Sequence, residues 1–395
     1  MSHSAPSPRR DRWIARHAGD FRGPTFVAFG AMHGNEPTGV EAIELVRDEL
    51  RNLSARMHGS FIGLIGNTRA FAENVRFLSR DLNRRWFPRD VEALLARTAA
   101  RNDADLTPED IEQRELLDIL HKLAAGSPKP LYVLDLHSTS SRSAAFACMS
   151  DTLQNQPLAF ALRVPVIFGL EEAIEGTMAG YLSDLGHVCV GFEGGVHDNP
   201  ATLSAQVAAI WVGLVTAGLL RREDVPRFDE YEEKLQAIGD STPAAVEIQY
   251  RHAIAPSDGF VMNPGYRSFQ RVRAGEVLAT DRRGEVRAPI SGRILLPLYQ
   301  GQGDDGFFIT RDLGSARISL SRTLRRARVD RVLPFVPGIT RTKGRGNTGA
   351  SLKVRGPLAE TPVKDILRLF GYRRERRDQE ALVFSRRRQR PSSRE

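Results

Sequence analysis

The chain has 395 residues, 41% hydrophobic and 26% charged, with 34 Gly, 22 Pro and 2 Cys; this excludes fibrous, disulfide-stapled and wholly disordered proteins and leaves room for two or three domains. The net charge of +8 is unevenly spread: residues 319–395 carry 21 Lys+Arg against 7 Asp+Glu, a net of +14, which leaves the first 318 residues at −6. Arginine outnumbers lysine 50 to 6, a bias that coding composition can produce, so basicity by itself does not argue for a nucleic-acid partner.

In chain order, the stretch Met1 to Asp20 holds Arg9, Arg10, Arg12 and Arg16 with no apolar run behind them, so it does not read as a secretory signal and a cytoplasmic protein is expected. The apolar run Thr25 to Gly30 predicts a strand, and Val40, Ile43, Val46, Leu50 and Leu53 predict a helix after Pro37. Strands follow at Phe61 to Ile65, Leu131 to Leu136, Phe146 to Met149, Val164 to Phe168 and Val188 to Phe192. Helices are expected at Val91 to Ala99, Pro108 to Leu123 and Met178 to Leu185. Asn199 and Pro200 cap and open a long helix to Leu220. That helix contains no charged residue, but its dense apolar part, Val207 to Leu220, is too short to cross a bilayer; a buried core helix and no membrane partner are expected. Cys148 and Cys189 sit in apolar strand contexts and read as buried thiols of a reducing compartment.

Strands alternating with helices predict an α/β domain over residues 1–225 with a parallel or mixed sheet flanked by helices. From 226 to 318 short β-like runs separated by turns predict a smaller all-β domain. Residues 319–395 form a basic C-terminal extension with a Gly/Thr-rich segment (Thr342 to Ser351), a helix candidate (Val363 to Phe370) and an apolar run (Ala381 to Phe384).

Three pieces follow strands, where an α/β sheet places its functional groups. His33-Gly-Asn-Glu36 and Asp135-Leu-His137 together offer two imidazoles and a carboxylate, the donor set of a catalytic metal site, with Asp135 able to hold His137 from behind. Glu193, after the strand Val188 to Phe192, supplies a carboxylate that could take a proton from an attacking water. A fourth piece concerns substrate: Arg69 could polarise a scissile carbonyl, and Asn83 with Arg84 could grip a carboxylate, arginine binding it bidentately. Each piece alone is common by chance; their order, each after a strand, makes them a set.

The motifs Gly30-Ala-Met-His33-Gly-Asn-Glu36-Pro-Thr-Gly39, Asn67-Thr-Arg69-Ala, Asp81-Leu-Asn83-Arg84, Leu134-Asp-Leu-His137 and Gly191-Phe-Glu193-Gly-Gly resemble the succinylglutamate desuccinylase/aspartoacylase family, itself similar to the zinc carboxypeptidases. The resemblance covers about residues 25–200, and the β-rich segment looks like the family's C-terminal domain, which would cover the cleft. It implies one Zn2+ per chain on His33, Glu36 and His137, Glu193 as general base and acid, Arg69 at the oxyanion, and Asn83 and Arg84 on the substrate's carboxylate. The implied reaction is hydrolysis of a small N-acyl amino acid. Two positions depart from the family: Ser183 stands where aspartoacylases carry an arginine that reads an acidic side chain, which disfavours N-acetylaspartate. Tyr299 is the nearest phenol to a family tyrosine, with Phe307 and Phe308 where that tyrosine was expected.

Two other readings compete. A carboxypeptidase acting on a peptide C-terminus would use the same groups, and pocket depth separates the two. A nucleic-acid-binding protein would act through the basic extension, but few aromatics, among them Phe370, Tyr372 and Phe384, are interleaved with its arginines, so stacking platforms are not evident. A homo-oligomer is compatible with the sequence.

Overall fold

The apolar run ending at Gly30 becomes an interior strand of a large mixed sheet. The structure is a computed structural model that describes residues 11–99, 105–342, 348–355, 361–378 and 381–387. Residues 1–10 of the N-terminal stretch and 343–347 of the Gly/Thr-rich segment lie outside the described residues.

The first half comprises β1 (Trp13–Ala18), β2 (Phe21–Gly30), α1 (Thr38–Leu50), β3 (His58–Ile65), α2 (Thr68–Ala72), α3 (Pro88–Ala99), α4 (Pro108–Gly126), β4 (Tyr132–Thr139), β5 (Phe146–Cys148), α5 (Gln156–Ala161), β6 (Val166–Phe168), α6 (Leu170–Ile174), α7 (Met178–Asp184), β7 (Val188–Val196) and α8 (Pro200–Ala217). There follow α9 (Phe228–Gly239), β8 (Ala245–Ala253), β9 (Val261–Met262), β10 (Arg271–Val272), β11 (Val277–Asp281), β12 (Gly284–Arg287), β13 (Gly292–Leu295) and β14 (Asp305–Asp312). The C-terminal unit holds α10 (Ser315–Arg326), β15 (Ile339–Thr342), β16 (Thr348–Arg355), α11 (Thr361–Leu369), β17 (Arg374–Asp378) and β18 (Ala381–Arg387).

Eleven strands form one sheet in the order β1-β3-β2-β4-β7-β5-β6-β8-β14-β13-β10, with β3, β2, β4 and β7 mutually parallel. β8 pairs parallel with β6, so the sheet continues without a break into the β-rich region, which adds a three-stranded sheet of its own. That region also contains α9, whose Phe228, Tyr231 and Leu235 at helical spacing are its buried residues. One face of the sheet is covered by α1 and α8, with Ile43, Val46, Phe61 and Trp211 in the core; the other packs on α3, α4 and α7 through Leu94, Leu117 and Leu182.

Among the described residues α8 is the one helix long and apolar enough to cross a membrane. It is packed as a core helix: Ala208, Ile210, Trp211 and Leu214 are fully buried, and Trp211 stacks on Tyr231 of α9 at 6.1 Å. Asn199 caps it by accepting from Ala201 N–H, as its sequence position predicts.

The described residues of the basic extension are folded. β15-β16-β18-β17 form an antiparallel sheet around Leu352, Val354, Leu367, Phe370, Tyr372 and Phe384. Several of its arginines face the acidic body. Arg325 Nη1 lies 2.6 Å from Asp151 Oδ1, Arg373 Nε lies 2.5 Å from Asp151 Oδ2, and Arg373 also pairs with Glu247. These guanidiniums are turned inward and unavailable to a polyanion.

Burial alone would raise the Asp151 carboxyl, but Arg325 and Arg373 hold it at about 2, against an ordinary 3.8. A folded value below the unfolded one stabilises the protein above about pH 4, and this stabilisation, about 2 kcal/mol, is lost as pH falls through about 2. Asp151→Asn is expected to cost about 3 kcal/mol or more at neutral pH, because it leaves two buried guanidiniums short of a counter-charge. Urea midpoints should also fall more steeply between pH 4 and 2 in the wild type than in the variant. Equal pH slopes would contradict this assignment.

Candidate active site

The site forms where β2, β4 and β7 end. After β2 the chain turns through His33 to Glu36, and Gly34 lies so close to α2 that a Cβ would sit 2.2 Å from the Ala70 carbonyl carbon; only glycine fits. The turn aims His33 Nδ1 at Glu36 Oε1 (2.8 Å), while Glu36 Oε2 meets His137 Nδ1 at 3.0 Å and accepts from Ser138 N–H at 3.1 Å. One potential ligand atom from each of His33, Glu36 and His137 lies within 4.8 Å of the others, and all three residues are buried. Each imidazole's second nitrogen faces an aspartate: His33 Nε2 to Asp81 at 3.3 Å, His137 Nε2 to Asp135 at 3.0 Å.

Electrostatics bind this cluster. Burial would raise the Glu36 carboxyl, but His33 and His137 hold it well below the usual range. Burial would likewise lower His137, yet Asp135 and Glu36 hold it well above its ordinary value. Two imidazoles and a carboxylate, the imidazoles oriented from behind by aspartates, are a donor set suited to a divalent metal with an open position. Binding would displace the protons that the cluster now shares.

Glu193 sits opposite His137 in the parallel register of β4 and β7. Its Oε2 is buried without a hydrogen-bond partner among the described residues, as is Asp135 Oδ1. Burial pushes the Glu193 carboxyl up to about 8 despite the pull of His137.

Arg69 does not join this group. Its Nη1 lies 2.5 Å from Glu112 Oε1, in a network that includes buried Arg12, and it does not line the pocket at which the sequence suggested an oxyanion role for it. Thr68 bonds the same carboxylate through its Oγ1 at 2.7 Å, so α2 turns its start toward α4. Arg76, seven residues on, lines the pocket instead, with Nη2 3.0 Å from Asp81 Oδ2 and Nη1 3.7 Å from Glu36 Oε1. A second arginine between the Asn67 and Asp81 motifs was the signal for it, but the path of an irregular loop decides which of the two reaches the site.

Asn83 and Arg84 both line the pocket. Asn83 Oδ1 accepts from Met178 N–H at 2.8 Å, which leaves its amide NH2 to donate. Arg84 lies between Asp81 and Asp305, with Nη2 3.4 Å from Asp305 Oδ2. Ser183 is buried beside Asn155 and Tyr299 bonds to the Asn263 and Tyr266 carbonyls; neither lines the pocket, whereas Phe308 does. Leu296, Leu298 and Asp304 from the β-rich region close the far side of a cavity of about 120 Å³. That is well below the roughly 300–1,000 Å³ of sites for drug-sized ligands.

The succinylglutamate desuccinylase/aspartoacylase catalytic-domain family model matches residues 22–212. Among solved structures, the succinylglutamate desuccinylase/aspartoacylase of Rhodobacter sphaeroides superposes with a TM-score of 0.54 at 19% identity, over 75% of this chain and 88% of its own. The product-bound ectoine utilization protein EutE of Ruegeria pomeroyi gives 0.53 at 19% identity, over 74% and 87%. The succinylglutamate desuccinylase of Vibrio parahaemolyticus gives 0.52 at 15%, over 74% and 82%. At such identities the likeness is one of fold. No curated protein sequence matches the chain.

Proposed function

This chain belongs, through residues 22–212, to the succinylglutamate desuccinylase/aspartoacylase family, and on that premise we propose that it is a zinc-dependent hydrolase that cleaves the amide bond of a small N-acyl amino acid. The observation that carries this reading is the convergence of the His33–Glu36–His137 cluster, Glu193, Arg76, Asn83 and Arg84 on one small cavity. His33, Glu36 and His137 would hold a zinc ion, which when bound would supply the Lewis acidity that activates water near neutral pH.

The remaining steps belong to side chains. Asn83 and Arg84 hold the substrate's carboxylate and so fix the amide in the cavity. Glu193 takes a proton from water as its oxygen bonds to the acyl carbon, then returns it to the nitrogen as the C–N bond breaks; the products are a carboxylate and a free amino acid. Arg76 offers its guanidinium to the carbonyl oxygen as that oxygen gains charge. The small cavity favours a small acyl amino acid over a peptide C-terminus.

The test is a product-release assay across N-acetyl, N-formyl and N-succinyl amino acids, with zinc restored after chelation. Turnover of at least one is expected. Arg76→Met should lower kcat about 10²-fold, the usual cost of an oxyanion donor, while Arg69→Met stays within about threefold. No turnover across the panel would refute the reading, and a loss at Arg69 equal to that at Arg76 would refute the role given to Arg76.

A further inference from the structure

We propose that Arg387, from the C-terminal unit, is a positioning residue for the substrate clamp: it sets the α6–α7 wall of the pocket and, through that wall, Asn83. The inference deepens the proposed function, and only its kinetic part rests on that reading.

Arg387 is the last residue of β18 and is 4% exposed. Its Nε lies 3.0 Å from Glu172 Oε1 on α6, its Nη1 3.0 Å from Asp184 Oδ1 on α7, and the same nitrogen donates to the Gly180 carbonyl at 2.8 Å. One planar fork thus ties two short helices together, which a lysine's single ammonium could not do. The approach is close: a Cβ on Gly180 would stand 2.7 Å from Thr177 Oγ1 and 3.2 Å from both Arg387 Nη2 and Glu171 Oε2.

These helices face the active site. Leu170, Glu171, Ile174, Thr177 and Ala179 line the cavity, and Thr177 caps α7 while bonding to Glu171. Two hydrogen bonds join this wall to the clamp segment: Met178 N–H to Asn83 Oδ1 at 2.8 Å and Trp86 N–H to the Gly176 carbonyl at 2.9 Å. Behind the wall lies a cleft of about 900 Å³, between Gly180, Tyr181 and Asp184 on one side and Lys353, Val383 and Ser385 on the other. Apolar packing therefore does not brace the outer side of α7; the ion pairs of Arg387 and of Arg374 with Asp184 (2.9 Å) span it instead. The C-terminal unit is separately anchored by Arg325 and Arg373 on Asp151, so loss of Arg387 alone leaves it attached.

The test compares the wild type and Arg387→Met as full chains, by peptide-resolved hydrogen exchange and by steady-state kinetics on the best substrate of the panel. Exchange of residues 170–184 and 82–86 is expected to rise about tenfold while β2, β4 and β7 stay protected. KM should rise about tenfold, kcat should change less than about threefold, and the metal should be retained. Unchanged exchange in both segments, or faster exchange confined to the C-terminal unit, overturns the proposal. So does an unchanged KM where the protein turns over substrate. If no panel substrate is cleaved, the deacylase reading fails while the exchange result still decides the role of Arg387. Should Arg387→Met not fold, Glu172→Met removes one acceptor of the fork, and the same two segments are expected to exchange faster; unchanged exchange there also overturns the proposal.

Discussion

Glu193→Gln is expected to keep its metal and lose about 10²- to 10⁴-fold in kcat, the range for a sole general base. The amide has the carboxyl's shape but cannot accept the proton of an attacking water, so the fold and the His33–Glu36–His137 cluster should survive intact. Stability gives an independent check. In the metal-free protein the Glu193 carboxyl titrates at about 8 against an ordinary 4.5, because burial disfavours its charge. A folded value above the unfolded one means that stability present below about pH 4.5 is lost as pH rises toward 8. The glutamine variant has no such group and should lose less stability than the wild type over that range, measured by urea midpoints without metal. Near wild-type turnover in Glu193→Gln would remove the residue from the mechanism.

His33→Ala and His137→Ala are expected to abolish both metal binding and turnover. Either change leaves two donors from a set of three and leaves Glu36, whose charge the imidazoles compensate, buried with one imidazole instead of two. The aspartates behind them should matter less: Asp81→Ala and Asp135→Ala free an imidazole to rotate, and should weaken metal binding about 10- to 100-fold without abolishing it.

Much of this site was legible in the sequence because its parts are local. His33 with Glu36 follows β2, and Asp135, His137 and Glu193 lie in β4 and β7 toward their C-terminal ends; the apolar runs of these strands are unambiguous, and parallel strands bring their ends together without knowledge of the loops. The Asn199 cap of α8 was readable for the same reason. What depended on loop path was not. Arg76 and Arg69 have the same chemistry seven residues apart, and the contact of Arg69 with Glu112, 43 residues away, is what draws it from the site. Asp81 stood inside a recognised motif, yet its hold on His33 spans 48 residues. The basic extension was visible only as a charge excess. The partners of its inward-facing arginines, Asp151, Glu247, Glu172 and Asp184, lie 126 to 222 residues from Arg325, Arg373, Arg374 and Arg387. No periodicity in one segment records a pairing at that distance.

The proposed chemistry depends on a single zinc ion held by His33, Glu36 and His137. Elemental analysis by mass spectrometry of the wild type and of His137→Ala, each loaded with zinc and desalted in parallel, tests it most directly. About one zinc per wild-type chain and next to none in the variant is expected. Equal zinc in the two proteins, or none in either, would contradict it.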